Sequence, residues 1–128
     1  NWRLLFDAYS TVLHVTRLVK RGSYKALLDN PPASPRYLSR YDVARVGKAV
    51  SFAARLVPGA TCLPQAFSVQ RMLGQRGVRA AVSVGVQDTN GKVLAHAWVE
   101  DRGVVIVGGS KQQIHAYRPI ATLTLKGR

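Results

Sequence analysis

Apolar residues recur first at helical and then at strand spacing, and the change falls near Gly77. Over residues 2–28, Leu5, Tyr9, Val12, Leu13 and Val19 share one helical face, while Arg3, Asp7, Arg17 and Lys20 can meet water. This predicts an amphipathic packing helix with a break at Gly22. Asp29 to Pro35 contains three prolines and is expected to be a loop. Ser39-Arg40-Tyr41-Asp42 then has the form of a capping box, with Asp in place of Glu. The helix it opens carries Val43, Val46, Val50, Ala53 and Leu56 or Val57, and is expected to stop at Pro58-Gly59. A third helix starts at the only cysteine. Thr61 is its expected N-cap, and Pro64 is tolerated in a first turn whose N–H groups lack helical partners. Leu63, Ala66, Phe67, Val69, Met72 and Leu73 form its apolar stripe, and Gly77 ends it.

Beyond Gly77 the pattern alternates. Val78 to Val86 reads as a strand, Asp88-Thr89-Asn90-Gly91 as a turn and Lys92 to Glu100 as the returning strand. Asp101-Arg102-Gly103 turns into Val104 to Val107, Gly108-Gly109-Ser110 breaks that run, and Ile114 to Tyr117 and Ile120 to Leu125 add further expected strands. Helices first and an antiparallel meander second define an α+β fold, with N-terminal helices packed on an antiparallel sheet. A chain of 128 residues is expected to form a single domain, helical to residue 60, with the cysteine helix and the sheet over 61–128.

Composition narrows the classes. Apolar residues make up 47%, which suits a globular chain, and no run approaches the roughly 20 apolar residues of a bilayer span. A lone cysteine cannot close an internal disulfide, which suggests bacterial cytoplasm as the compartment. One Cys and three scattered His, at 14, 96 and 115, show no metal-ligand spacing, and no cofactor is implied. The charge is lopsided, 19 Lys+Arg against 6 Asp+Glu, net +13, and calls for an acidic partner. The basic residues are spread along the chain and match no nucleic-acid-binding signature, so neither DNA nor RNA is expected. Arg17, Lys20, Arg21 and Lys25 on the first helix read as a solvated face rather than a membrane surface.

Two residues point to chemistry. Cys62 in a first helical turn lies at the positive end of the helix dipole, where negative charge on sulfur is stabilised. His96 follows in a strand, where it could act as base, and the Cys62 backbone N–H could help bind an oxyanion. Read alone, the pair fits equally a buried thiol and a structural histidine. Trp98 shares the His96 face and either lines a substrate groove or packs in the core. Gln65, one helical turn from Cys62, either faces the cleft or caps the helix. His14, Met72 and His115 are expected to be structural.

Taken together, Cys62-Leu63-Pro64-Gln65-Ala66, Leu73, Gly77, Val84-Gly85-Val86 and His96-Ala97-Trp98-Val99-Glu100 resemble the leader peptidases of lasso-peptide biosynthesis, within the transglutaminase-like cysteine protease superfamily. The resemblance runs over about residues 62–109. It implies a papain/transglutaminase-like fold and a cysteine peptidase that removes the leader from a ribosomally made precursor peptide. It also implies a leader-recognition protein as partner and a macrolactam synthetase acting afterwards. By motif, Cys62 is the nucleophile and His96 the general base. The competing expectations are a non-catalytic peptide-binding module of the same fold and a basic nucleic-acid-binding protein.

The sequence departs from that pattern at the third catalytic residue. The family commonly places an Asp about twelve positions after the histidine, and here that position is Gly108. Asp101 is the candidate acid, although a regular strand points it to the face opposite His96. Ser110 or Gln112 could orient the imidazole without charge, or no side chain does so. If the site has room, Gly108→Asp should raise the rate.

Overall fold

A computed structural model describes residues 2–29 and 32–125. The first helix, α1 (Trp2–Lys20), ends where predicted, with Gly22 in the left-handed region at φ +74°, and a single turn, α2 (Lys25–Leu28), follows. The face that α1 buries is rotated from the expected stripe. Ala8, Thr11, Val12, Val15 and Thr16 point inward, whereas Leu5 and Tyr9 are 40% exposed.

Ser39 caps α3 (Arg40–Ala54) by accepting from the Asp42 N–H at 3.1 Å, which is one half of the expected box. The fourth helix, α4 (Cys62–Gln75), begins at the cysteine. Thr61 holds the N-cap position with extended backbone, but its side chain makes no capping bond. Phe67, Met72 and Leu73 of α4 are essentially inaccessible, and each contributes about 1.5–3 kcal/mol relative to leaving it in water. They join Val12 and Val15 of α1 and Val43 and Val50 of α3 in one core that also takes in the sheet.

The sheet contains β1 (Val82–Thr89), β2 (Lys92–Asp101), β3 (Val104–Val107) and β4 (Arg118–Leu123). Two-residue turns set its register. Asn90 at φ +52° lets Thr89 pair with Lys92, and Arg102 at φ +49° lets Asp101 pair with Val104. The strand order is β3-β2-β1-β4, so two sequence expectations need correction. The sheet is not a simple meander, because β4 crosses back to pair antiparallel with β1. Residues 114–117 are not a strand. Ser110 opens a short helix, α5 (Lys111–Ile114), through a capping box in which its hydroxyl accepts from the Gln113 N–H and its own N–H donates to Gln113 Oε1. That local network outweighs the β-like composition of the segment.

One buried polar side chain ties the layers together. Gln70, 1% exposed in the middle of α4, donates through Nε2 to the carbonyls of Ala80 at 3.0 Å and Leu123 at 2.9 Å. Those bonds hold the helix against the entry to β1 and the end of β4. The first turn of α4 is thereby set beside the middle of β2, where His96 stands.

Candidate active site

Cys62 is half-buried in the first turn of α4. Among the described residues the backbone N–H groups of Cys62 and Leu63 have no backbone partner, and Pro64 has no N–H to satisfy. Two donors therefore remain at the positive end of a 14-residue helix, beside the thiol. Gln65 follows on the same turn and is held by a 2.8 Å bond from its Nε2 to the Ala60 carbonyl.

His96 sits on β2 opposite Gly85 of β1. Its Nε2 lies 2.5 Å from the carbonyl oxygen of Gly108. A carbonyl can only accept, so Nε2 carries the hydrogen and Nδ1 is left with the lone pair in the neutral ring. Two aromatic rings pack against the imidazole and against each other, their own centroids 6.4 Å apart. Trp98 is 6.1 Å away at 24°, and Tyr117 is 5.1 Å away at 31°. Gly85 makes this grouping possible, because a Cβ there would stand 2.9 Å from Trp98 and 3.0 Å from Tyr117.

A cleft of about 610 Å³ is lined by both Cys62 and His96. Gln65 and Tyr117 line it as well, with Ser51 of α3, Gln87 of β1 and Gln113 of α5 completing its polar wall. Trp98 does not line it. That ring is 4% exposed, packs behind His96, and donates through Nε1 to Glu100 Oε1 at 3.2 Å.

Asp101 lies apart from this group. Its carboxylate accepts from Arg102 Nε at 2.7 Å in the β2–β3 turn, and it does not line the cleft. The Arg102 pKa is raised from its ordinary value, chiefly by that hydrogen bond. Ser110 and Gln112 do not line the cleft either, and Ser110 is occupied in capping α5. Among the described residues no carboxylate bonds to His96; its partner is the main chain of the residue twelve positions on.

The backbone of Gly108 is what presents that oxygen. Gly108 and Gly109 have φ of +106° and +105°, a conformation closed to L side chains without strain. A Cβ on Gly108 would lie 2.5 Å from Trp98 Cβ and 2.8 Å from the Ala97 carbonyl. There is no room for a carboxylate on this residue, so the condition on which Gly108→Asp was expected to raise the rate is not met. Sequence reasoning missed the backbone acceptor because it searched side chains. The paired glycines directly after a strand were the signal that could have found it.

The sequence profile of the transglutaminase-like superfamily matches residues 8–122, from the middle of α1 to the end of β4. The chain belongs to the transglutaminase-like superfamily. That group includes cysteine peptidases and transglutaminases, and its match extends well beyond the segment that carries the sequence motifs. No curated protein and no solved structure matches the chain. Helices on a four-stranded antiparallel sheet are the architecture this transglutaminase-like domain adopts. No helix among its described residues is long and apolar enough to cross a membrane.

Proposed function

We propose that this transglutaminase-like domain is a cysteine peptidase that removes a leader from a ribosomally synthesised lasso-peptide precursor. The observation that carries the reading is the shared cleft, with Cys62 at a helix tip and His96 fixed so that Nδ1 is its available base. His96-Ala97-Trp98-Val99-Glu100, with Cys62-Leu63 upstream, supplies the narrower assignment to leader peptidases.

The chemistry follows from those groups. His96 Nδ1 takes the thiol proton as Cys62 Sγ attacks the scissile carbonyl carbon. The carbonyl oxygen becomes an oxyanion that accepts from the Cys62 N–H, a donor with no competing backbone bond among the described residues. The carbon–nitrogen bond breaks, and the imidazolium gives its proton to the departing amine, the new N-terminus of the core peptide. Water then attacks the thioester, with its proton passing to Nδ1, and the leader leaves with a C-terminal carboxylate. Throughout, the Gly108 carbonyl keeps Nε2–H in place but brings no full negative charge to the imidazolium.

That missing charge favours a second reading, a peptide-binding module that retains the fold without turnover. Incubation with a lasso precursor and its recognition protein, followed by mass spectrometry, separates the two. Cleavage that is lost in both Cys62→Ala and His96→Ala supports the peptidase. Binding without cleavage, with Cys62 alkylated by iodoacetamide no faster than a free cysteine, supports the module.

A further inference from the structure

The end of α4 opposite the cysteine holds a second cleft, of about 500 Å³. Arg3 of α1, Arg36 of the loop before α3, Arg45 of α3 and Arg76 after α4 converge on it, against Asp7 and Asp42. Asp7 is taken by Arg76 at 2.9 Å, and Arg76 also donates to the Met72 carbonyl at 3.0 Å. Four cations against two carboxylates leave the cleft positive within a chain of net charge +13. Through Leu4 and Arg45 it runs into a groove between α1 and α3 of about 240 Å³, lined also by Leu5, Lys48 and Ala49.

Exposed aromatic side chains neighbour the lining arginines along the chain. Trp2 and Phe6 on α1, Tyr37 before α3 and Tyr41 at its start are each 68% exposed or more. Arg3 stacks on Trp2 and Arg45 on Tyr41, both at 5.8 Å, which holds guanidinium and ring together at the surface. Exposed Trp and Tyr interleaved with Arg is the composition of protein-binding hot spots. The rotated burial of α1 contributes to this surface, since Leu5, which leaves the core, lines the groove.

We infer that the arginine cleft and the α1–α3 groove together bind an acidic, amphipathic segment of a partner polypeptide. Its carboxylates pair with Arg36 and Arg45, and its apolar side chains lie along Leu4, Leu5 and Ala49. A polypeptide fits better than a nucleic acid, because Asp7 and Asp42 would face a phosphodiester backbone, whereas a peptide can place amides against them. A 14-residue helix puts this cleft about 20 Å from Cys62, a span that roughly six extended residues cover. The inference does not depend on the chemistry assigned to Cys62, and its test reads binding alone.

The probe is a fluorescein-labelled peptide of about 15 residues with Leu at helical spacing and Glu elsewhere, followed by anisotropy with the whole chain. Saturable binding at low salt that weakens toward roughly 0.1 M and beyond is expected. Arg36→Glu with Arg45→Glu should weaken it about tenfold or more, and Leu5→Glu, which leaves the arginines in place, by a similar factor. Lys25→Glu with Lys92→Glu makes the same change of net charge elsewhere on the surface and should have little effect. Unchanged melting temperature and Cys62 alkylation rate certify each variant as folded. No binding at low salt overturns the inference. So does equal loss in the lysine pair, or tighter binding of an oligothymidylate of matched charge.

Discussion

The Nε2 of His96 and the carbonyl oxygen of Gly108 stand 2.5 Å apart, so a main-chain atom occupies the place where a catalytic carboxylate is expected. The bond fixes the ring's tautomer and tilt, two of the three services a third catalytic residue performs. It omits the full countercharge.

Gly108→Asp should lower leader cleavage rather than raise it, and Gly108→Ala should do the same. Any Cβ at this position collides with Trp98 and Ala97, and φ +106° adds strain of about 1–3 kcal/mol. Thermal melting beside cleavage assays checks this. A Gly108→Asp enzyme that is faster and equally stable would show that the strand carries residue 108 differently.

Asp101→Asn should reduce turnover by less than about tenfold, because the carboxylate serves Arg102 in a turn and is not part of the cleft. Cleavage rates with circular dichroism on the same sample decide it. Abolished turnover in a folded variant would make Asp101 the catalytic acid after all.

Tyr117→Ala removes one of the two rings that hold the imidazole and should cost about tenfold in turnover, while Tyr117→Phe keeps the ring and should stay near the wild-type rate. Equal losses in the two variants would shift the role from ring packing to the hydroxyl.

Gln70→Ala should destabilise the fold by about 2–4 kcal/mol, read from urea unfolding, since a buried and a half-buried carbonyl lose their donor and a cavity opens in α4. A cost below about 1 kcal/mol would mean that water replaces the amide.

The helices were legible because their stripes and stops are local. Gly22 and Gly77 each follow closely on the end of a helix, whereas α3 stops at Ala54, short of the expected Pro58-Gly59; Asn90-Gly91 fixes a hairpin through backbone conformations that few residues adopt. Cys62 and His96 were legible as candidates, one at a helix tip and one in a strand, and the fold brings both to one cleft. Three features were not. Which side of α1 is buried depends on where α3 and α4 lie, so Leu5 could not be told from Ala8 by spacing. The partner of β4 is a choice between sheet edges, which alternation does not encode. The acceptor on Nε2 belongs to the peptide backbone, which every residue carries, so no side chain marks it.

The return of β4 to the β1 edge has a consequence for the order in which a growing chain becomes competent. Synthesis delivers α4 and the β1–β2 hairpin, and with them Cys62 and His96, before Gly108 and Tyr117 emerge. Until residues 118–123 zip onto β1, that strand keeps an open edge, and Tyr117, which leads into β4, has not been brought over the histidine. Cys62 and His96, the proposed nucleophile and base, therefore exist on the nascent chain before the fold around them does. Docking of β4 closes the exposed edge and brings Tyr117 against His96, so the aromatic packing around the imidazole is complete only when the sheet is.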